Sequence, residues 1–241
     1  MTSYRLLPWT AAAWLLCLVA GVPSFAQDAS APAASAPPRP AAFADLRSQP
    51  PVSGDAQAGA GKAAVCGACH GPQGVAIAPN FPNLAGQSAT YLYVQLKQFK
   101  DGQRSDPVMT GQAAALSDQD MRDLASHYAS LPAKPAGQAD ATSRGAQLYL
   151  AGDPAQGIPP CQGCHGPAAQ GPQPHRSGAP QPPWSTYPHL RGQSAFYLGK
   201  ALGDFRNATR GDSSNAKVME GVAQTLGDAD VQALSTYLST L

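Results

Sequence analysis

Four cysteines and two histidines carry the chemistry that can be read in this chain: Cys66-Gly-Ala-Cys69-His70 and Cys161-Gln-Gly-Cys164-His165. Two thiols one helical turn apart can each add to a vinyl group on one porphyrin edge, and the adjacent imidazole then turns under the ring to bind iron. Cys-x-x-Cys-His is therefore the attachment signature of c-type haem. The cofactors expected are two covalently bound haem c groups, held by Cys66, Cys69, Cys161 and Cys164, with His70 and His165 on iron. Three other uses of the cysteines fit less well. Zinc sites built from two Cys-x-x-Cys pairs keep them about 15 to 20 residues apart, whereas here most of a domain separates them. A thioredoxin-like dithiol needs a βαβ context that is missing, and structural disulfides leave the histidines unexplained.

An iron with one imidazole keeps either a sixth ligand or an open position, and that choice separates electron transfer from catalysis. After residue 26 the chain has three methionines, Met109, Met121 and Met219. Met109 and Met219 share the setting Val-Met-x-Gly-x-Ala-x-x-Leu, whereas Met121 lines up with Val231. Met109 and Met219 are the expected axial ligands, and Met121 is expected in a helix core. The alternative for each of the pair is a methionine packed on the haem without ligating it. Histidine competes weakly: His127 aligns with Tyr237, His189 aligns with Asn83, and His175 lies in a Pro-rich insertion. No spare histidine recurs, so all three read as surface or loop residues.

The segments that must position these groups recur as well. Asn83-Leu-Ala-Gly-Gln-Ser-Ala-Thr-Tyr-Leu92 corresponds to His189-Leu-Arg-Gly-Gln-Ser-Ala-Phe-Tyr-Leu198, and Leu96, Phe99 and Arg104 correspond to Leu202, Phe205 and Arg210. Leu116 through Leu131 matches Leu226 through Leu241. Two small tandem domains follow, joined at the turn-rich Pro132-Ala-Lys-Pro-Ala-Gly-Gln. Leu92, Leu96 and Phe99 fall at helical spacing, as do their counterparts. Ser117 is an N-cap followed by acidic residues, and Asp228 opens the matching helix. Neither half alternates as strands do, so the fold class is all-α. Domains this small, rich in Ala and Gly, are marginal on side-chain burial alone, and the haem is expected to fill each interior.

Residues 1–26 read as a secretory signal: Arg5, an apolar run from Leu6 to Val22, and small residues ending at Ala26. The run is at the short edge of a bilayer span, so a retained anchor is the alternative. Residues 27–53 are Ala/Pro/Ser-rich and are expected to form a tether, because they offer too little apolar surface to offset chain entropy. The expected order is signal 1–26, tether 27–53, first domain 54–133, linker 134–141 and second domain 142–241, in the periplasm. The chain has 16 basic and 15 acidic residues among 241, a formal net charge of +1. Arg5 and Cys17 leave with the signal, so the mature chain is formally neutral with four cysteines. Such a charge does not supply the positive field of a nucleic-acid binder, and that class is set aside.

From about Gly54 to Leu241 the sequence resembles the dihaem cytochromes c of the cytochrome c4 family. The resemblance rests on both haem motifs, both Pro-x-Leu-x-Gly-Gln segments, both Val-Met segments and the Leu-Ser-Asp type terminal helices. It implies two tandem class I cytochrome c domains, each around one His/Met haem, facing each other across a pseudo-twofold interface. It also implies that the carbonyls of Pro82 and Pro188 accept the Nδ1 protons of His70 and His165, fixing the tautomer of each ligand. Two departures stand out: extra residues between Gly171 and Tyr187, including His175 and Trp184, and four more before Met219. Both are expected to be loop decoration, with a partner-specific contact as the sharper alternative.

The function implied is non-enzymatic: single electrons carried between a membrane quinol-oxidising cytochrome complex and a terminal oxidase or other redox partner, with peripheral membrane association in view. The alternative is the cytochrome subunit of a periplasmic dehydrogenase, or a dihaem peroxidase. A peroxidase needs an open iron position, against which two recurring methionines argue. Docking would depend on local patches, and Lys97, Lys100 and Arg104 form either one such patch or simply a solvated helix face.

Overall fold

Short polar side chains start most of the helices. In the first half, Asp55 Oδ1 accepts the Gln57 and Ala58 N–H groups at the start of α1 (Ala56–Lys62), and Cys66 precedes the single turn α2 (Gly67–His70). Ser88 caps α3 (Ala89–Lys100), and Val108 precedes α4 (Met109–Ala114). A full capping box opens α5 (Asp118–Ser130), in which Ser117 Oγ accepts the Asp120 N–H and the Asp120 carboxylate accepts the Ser117 N–H. The second half repeats the order: α6 (Arg144–Ala151), α7 (Gln162–His165), α8 (Ala195–Arg206), α9 (Ser214–Ala223) and α10 (Asp228–Thr240). The structure, a computed structural model, describes residues 43–134, 137–172, 182–211 and 213–241. The expected signal, the first part of the expected tether and His175 lie outside the described residues.

Each half buries one apolar cluster between its helices. In the first, Leu92, Tyr93 and Val94 of α3 meet Met121, Leu124, Ala125 and Tyr128 of α5. Met121 is 1% exposed and is a core residue. In the second, Ala146, Leu148 and Tyr149 of α6 meet Leu198 of α8 and Leu234, Tyr237 and Leu238 of α10. Helix α1 crosses α5 at Gly59, and α6 crosses α10 at Gly145. No strand forms among the described residues, only the isolated bridges Ala44–Ser213 and Asp153–Ile158, so the architecture is all-α. No helix among them is long and apolar enough to cross a membrane.

Three features differ from the sequence reading. The described end of the expected tether is not free chain: Leu46 and Val52 are buried in the first-half cluster. The same segment bonds to the second half, where Ser214 N–H donates to Ala44 O at 3.0 Å, Leu46 N–H to Ser214 Oγ at 3.0 Å and Ser185 Oγ to Gln49 O at 2.6 Å. Two apolar residues that the first half covers, with hydrogen bonds to the second half, dock a segment whose composition alone reads as a linker. Secondly, the end of the Gly171–Tyr187 insertion is an internal contact rather than loop decoration. Its single 3-10 turn, Trp184–Thr186, packs on α3, and Ser185 is 2% exposed. Thirdly, the four extra residues before Met219 are helical, so Met219 lies inside α9 whereas Met109 is the first residue of α4.

One carboxylate organises the first half. Asp123, 3% exposed, accepts Lys62 Nζ at 2.7 Å, the Asp55 N–H at 2.9 Å and Gln119 Nε2 at 2.7 Å. Lys62, then these two donors, hold its carboxyl below the usual carboxylate range. A lowered folded-state pKa adds stability above the unfolded value of about 4, and that stability is lost as pH falls through the folded value. Thermal melts of Asp123→Asn should therefore show a lower midpoint at neutral pH than the parent and a weaker dependence on pH below about 4. An unchanged acid profile would contradict this.

Candidate haem sites

The two Cys-x-x-Cys-His turns fold alike. Cys69 N–H donates to Cys66 O at 3.2 Å and His70 N–H to the same oxygen at 3.0 Å; Cys164 and His165 do the same with Cys161 O, again at 3.2 and 3.0 Å. Each turn thus places its two sulfurs one turn apart with the imidazole beside the second. The next residue is a glycine in the left-handed region, Gly71 at φ 75° and Gly166 at φ 79°. There a Cβ would lie 2.0 Å from Val75 O or 2.3 Å from Gly171 O, so only glycine lets the chain leave the turn this way.

Both imidazoles are buried and oriented by carbonyls. His70 Nδ1 lies 2.9 Å from Pro82 O and His165 Nδ1 lies 3.1 Å from Pro188 O. A carbonyl can only accept, so Nδ1 carries the proton and Nε2 presents a lone pair. Burial lowers the pKa of both rings, keeping them neutral despite the bond to the carbonyl. None of the four cysteines is paired in a disulfide, which leaves each sulfur for thioether attachment. Burial raises the thiols of Cys66 and Cys164, and that of Cys161 to about 11. Among the described residues no three His, Cys, Asp or Glu side chains gather as a metal cluster, so the two pairs do not meet in one zinc site.

The surroundings fit a large apolar group. Val65 precedes Cys66, the Ile77 N–H reaches Cys69 O, and Val108 and Val218 precede Met109 and Met219; all four side chains are exposed in the protein alone. Met109 and Met219 are half-buried, and Asp106 Oδ1 pins the start of α4 by accepting the Val108 and Met109 N–H groups at 3.0 and 2.9 Å. Free thiols, a neutral imidazole with Nε2 available, and exposed apolar neighbours are the donor set and lining that haem c requires.

Between the motifs lies a polar seam in which each half repeats the other's part. Gln87 Oε1 accepts the His189 N–H at 2.8 Å while its Nε2 donates to His189 O at 2.8 Å; Gln193 does the same with Asn83, at 2.8 and 2.9 Å. Asn83 Nδ2 donates to Gly192 O at 2.9 Å, and in the matching place His189 Nδ1 donates to Gly86 O at 2.7 Å. This reciprocity, residue i on j and j on i, is that of a twofold interface. His189 therefore keeps the loop position that the sequence suggests but lies at the interface and not on the surface. His127, half-buried, stays on α5 with its ring against Tyr128.

Removing the two glutamine side chains strips the partners from the Asn83 and His189 backbone groups, at about 1–3 kcal/mol for each buried group left unpaired. In Gln87→Ala/Gln193→Ala, calorimetry should resolve two separate domain transitions at lower temperature than in the parent. A thermogram unchanged in shape and position would refute the clamp.

Of the three cations read as either a docking patch or a solvated helix face, only Arg104 leaves the surface. Lys97 pairs with Asp101 at 3.0 Å, Lys100 bonds Leu116 O, and Arg104 turns between the halves toward Tyr197. The roles of Gln87, Gln193, Arg104 and Arg210 were not evident in the sequence, although each recurs at one place in both halves, and recurrence of a polar residue was the available signal.

Two helical domains, each carrying a Cys-x-x-Cys-His turn with its imidazole held by a carbonyl, define a dihaem c-type cytochrome. The chain belongs to the cytochrome c family, whose profile matches residues 56–132 and 142–241. It is 43% identical over 192 residues to cytochrome c4 of Pseudomonas aeruginosa, covering 79% of this chain and 90% of that one. A thiosulfate dehydrogenase electron acceptor of Stutzerimonas stutzeri is 39% identical over 191 residues, covering 77% of this chain and 83% of the relative. The crystal structure of reduced recombinant cytochrome c4 from Pseudomonas stutzeri matches with a TM-score of 0.69 at 40% identity, over 78% of this chain and 100% of that chain. The cofactors are accordingly two haem c groups at the motifs of Cys66/Cys69 and Cys161/Cys164, and the protein is an electron-transfer cytochrome of the c4 kind.

Proposed function

We propose that the protein carries single electrons in the periplasm, taking them from a membrane quinol-oxidising cytochrome complex and passing them to a terminal oxidase. The observation that carries this reading is the recurrence, in both halves, of a buried neutral imidazole together with a methionine. In it Cys66 and Cys69 hold one haem and Cys161 and Cys164 the other, His70 and Met109 bind the first iron, and His165 and Met219 bind the second. Haem supplies one-electron exchange when bound. Pro82 and Pro188 keep the proton on Nδ1, which leaves Nε2 as the donor and makes the ring a better ligand. The neutral thioethers of Met109 and Met219 favour the ferrous state and raise the reduction potential. With His70 and Met109 holding one iron and His165 and Met219 the other, a bound haem would keep no position for substrate and would serve as a carrier and not a catalyst. The clamp of Gln87 and Gln193 keeps the two domains in register, which suits a two-site wire or store.

A second reading is favoured by the similarity to the thiosulfate dehydrogenase electron acceptor: this chain would accept electrons from a periplasmic dehydrogenase. Stopped-flow reduction of the oxidised protein separates the two. Native membranes supplied with quinol should reduce it within a turnover, and the same membranes without quinol should reoxidise it. If only a thiosulfate-supplied dehydrogenase reduces it, the first reading fails and the second stands.

A further inference from the structure

Three segments that lie outside the repeat meet at one helix. Ser214 N–H, at the start of α9, donates to Ala44 O at 3.0 Å, and Ser214 Oγ accepts the Leu46 N–H at 3.0 Å. The segment before the first domain is thereby tied to the helix that carries Met219. The next residue, Asn215, donates from Nδ2 to Thr186 Oγ1 at 2.6 Å, and Thr186, 3% exposed, belongs to the 3-10 turn at the end of the insertion. Ser185 Oγ closes the triangle by donating to Gln49 O at 2.6 Å. The partners are thus the docked segment 43–53, the insertion and the residues added before Met219. Just beyond Thr186, Pro188 O holds His165 Nδ1 at 3.1 Å. This knot therefore reaches the groups on both faces of the second haem: α9 carries the thioether, and the 184–188 segment carries the carbonyl that orients the imidazole.

The first half secures its methionine by other means. There Asp106 Oδ1 accepts the Val108 and Met109 N–H groups at 3.0 and 2.9 Å, and the Asp106 N–H donates to Thr110 Oγ1 at 3.1 Å. In the register of the two Val-Met pairs the counterpart of Asp106 is Ala216, whose side chain can accept nothing. Helix α9 instead begins at Ser214, more than one turn ahead of Met219, with Ser213 Oγ capping the Ala216 N–H at 3.2 Å. A helix that starts so far ahead of its methionine can be held from its beginning. We infer that Ala44, Leu46, Thr186, Ser214 and Asn215 form a brace that keeps Met219 on the iron of the second haem, doing from a distance what Asp106 does locally in the first half. A thioether is a soft, neutral ligand that holds ferric iron less firmly than ferrous iron, so a helix free to shift would let a competing donor take its place. The inference rests on Met219 being an axial ligand and not on any particular electron donor or acceptor.

The test uses the two-haem protein. Ser214→Ala removes the oxygen that accepts the Leu46 N–H, and Asn215→Ala removes the donor to Thr186. The ferric double variant is titrated with free imidazole while the sulfur–iron charge-transfer absorption is followed. Half of that absorption should disappear at imidazole concentrations roughly tenfold lower than in the parent, the ratio that one or two lost hydrogen bonds allow. The other half should titrate as it does in the parent, and [methyl-¹³C]methionine spectra should identify Met219 as the thioether displaced. A titration that superimposes on the parent's overturns the inference, as does a change shared equally by both haems, which would mark general destabilisation. A parent with the absorption at one haem only overturns it together with the assignment of Met219, whereas two such haems and an insensitive variant overturn the brace alone. Should the double variant fail to keep both haems, hydrogen exchange in the parent decides. The Leu46 and Ser214 amides, bonded across the same contact, should open in one event with equal protection; protection factors that differ by more than roughly tenfold overturn the brace. None of these readouts uses a redox partner, so they stand apart from the success or failure of the proposed function.

Discussion

Replacing Met219 with alanine is expected to remove the sulfur–iron charge-transfer absorption from one of the two ferric haems and to lower that haem's reduction potential. The drop should be on the order of 0.1–0.3 V, a fraction of the ~0.8 V span that axial ligands cover. Met109→Ala should do the same to the other haem, because both methionines follow a valine in matching segments and sit half-buried beside exposed apolar residues. Met121→Ala is the contrast. Its side chain is 1% exposed in the α3–α5 cluster, so its loss should cost about 2–5 kcal/mol of stability and leave both absorption bands intact. Redox titration with optical detection distinguishes the three variants in one experiment. A Met219→Ala spectrum identical to the parent's would falsify the ligand assignment and reopen the peroxidase reading, which needs an iron with a free position.

Gly145→Ala should be as damaging to the fold as the methionine changes are to the haem. At this crossing of α6 and α10 an added Cβ would stand 2.2 Å from Ala233 O and 2.7 Å from Tyr237 Cβ. Neither neighbour is the free end of a flexible chain, so the helices must part. Overpacking of this kind costs about 3 kcal/mol, a fall in Tm of roughly 12–24 °C for a domain of this size. Gly59→Ala meets Asp123 O at 2.1 Å at the corresponding crossing of α1 and α5 and should behave alike. Differential scanning calorimetry of the two variants reads the effect. If Gly145→Ala melted with the parent, the close helix contact would not exist in solution.

The haem motifs and the two recurring methionines could be read in the sequence because their chemistry is local: five residues specify the turn, and the repeat sorts one methionine from another. The helices were also visible, since Ser117 with Asp120 and the spacing of Leu92, Leu96 and Phe99 act within a single element. Polar residues whose partners lie in the other half were misread. Arg104 on its own looks like a solvated cation, and His189 like a loop residue, because a polar side chain is exposed by default until something distant covers it. The same holds for Leu46 and Val52, whose burial depends on surfaces far along the chain, and for Ser185, which the Pro-rich insertion concealed. Gly59 and Gly145 escaped notice for a related reason: a glycine in a glycine-rich chain gives no sign that a carbonyl of another helix lies against it.

The docked segment before the first domain also bears on the order of assembly. Leu46 N–H bonds Ser214 across 168 residues of sequence, while Leu46 and Val52 are covered by α3 and α5 of the first half. The hydrogen bonds of this segment to Ser185 and Ser214 therefore cannot close until the far end of the chain has been made and shaped. Closing so long a span costs loop entropy that only finished surfaces offset, which makes seating of this segment a late event and a checkpoint on both domains. Until then the Leu46 N–H lacks its Ser214 partner, although the first half already offers its side chain a place.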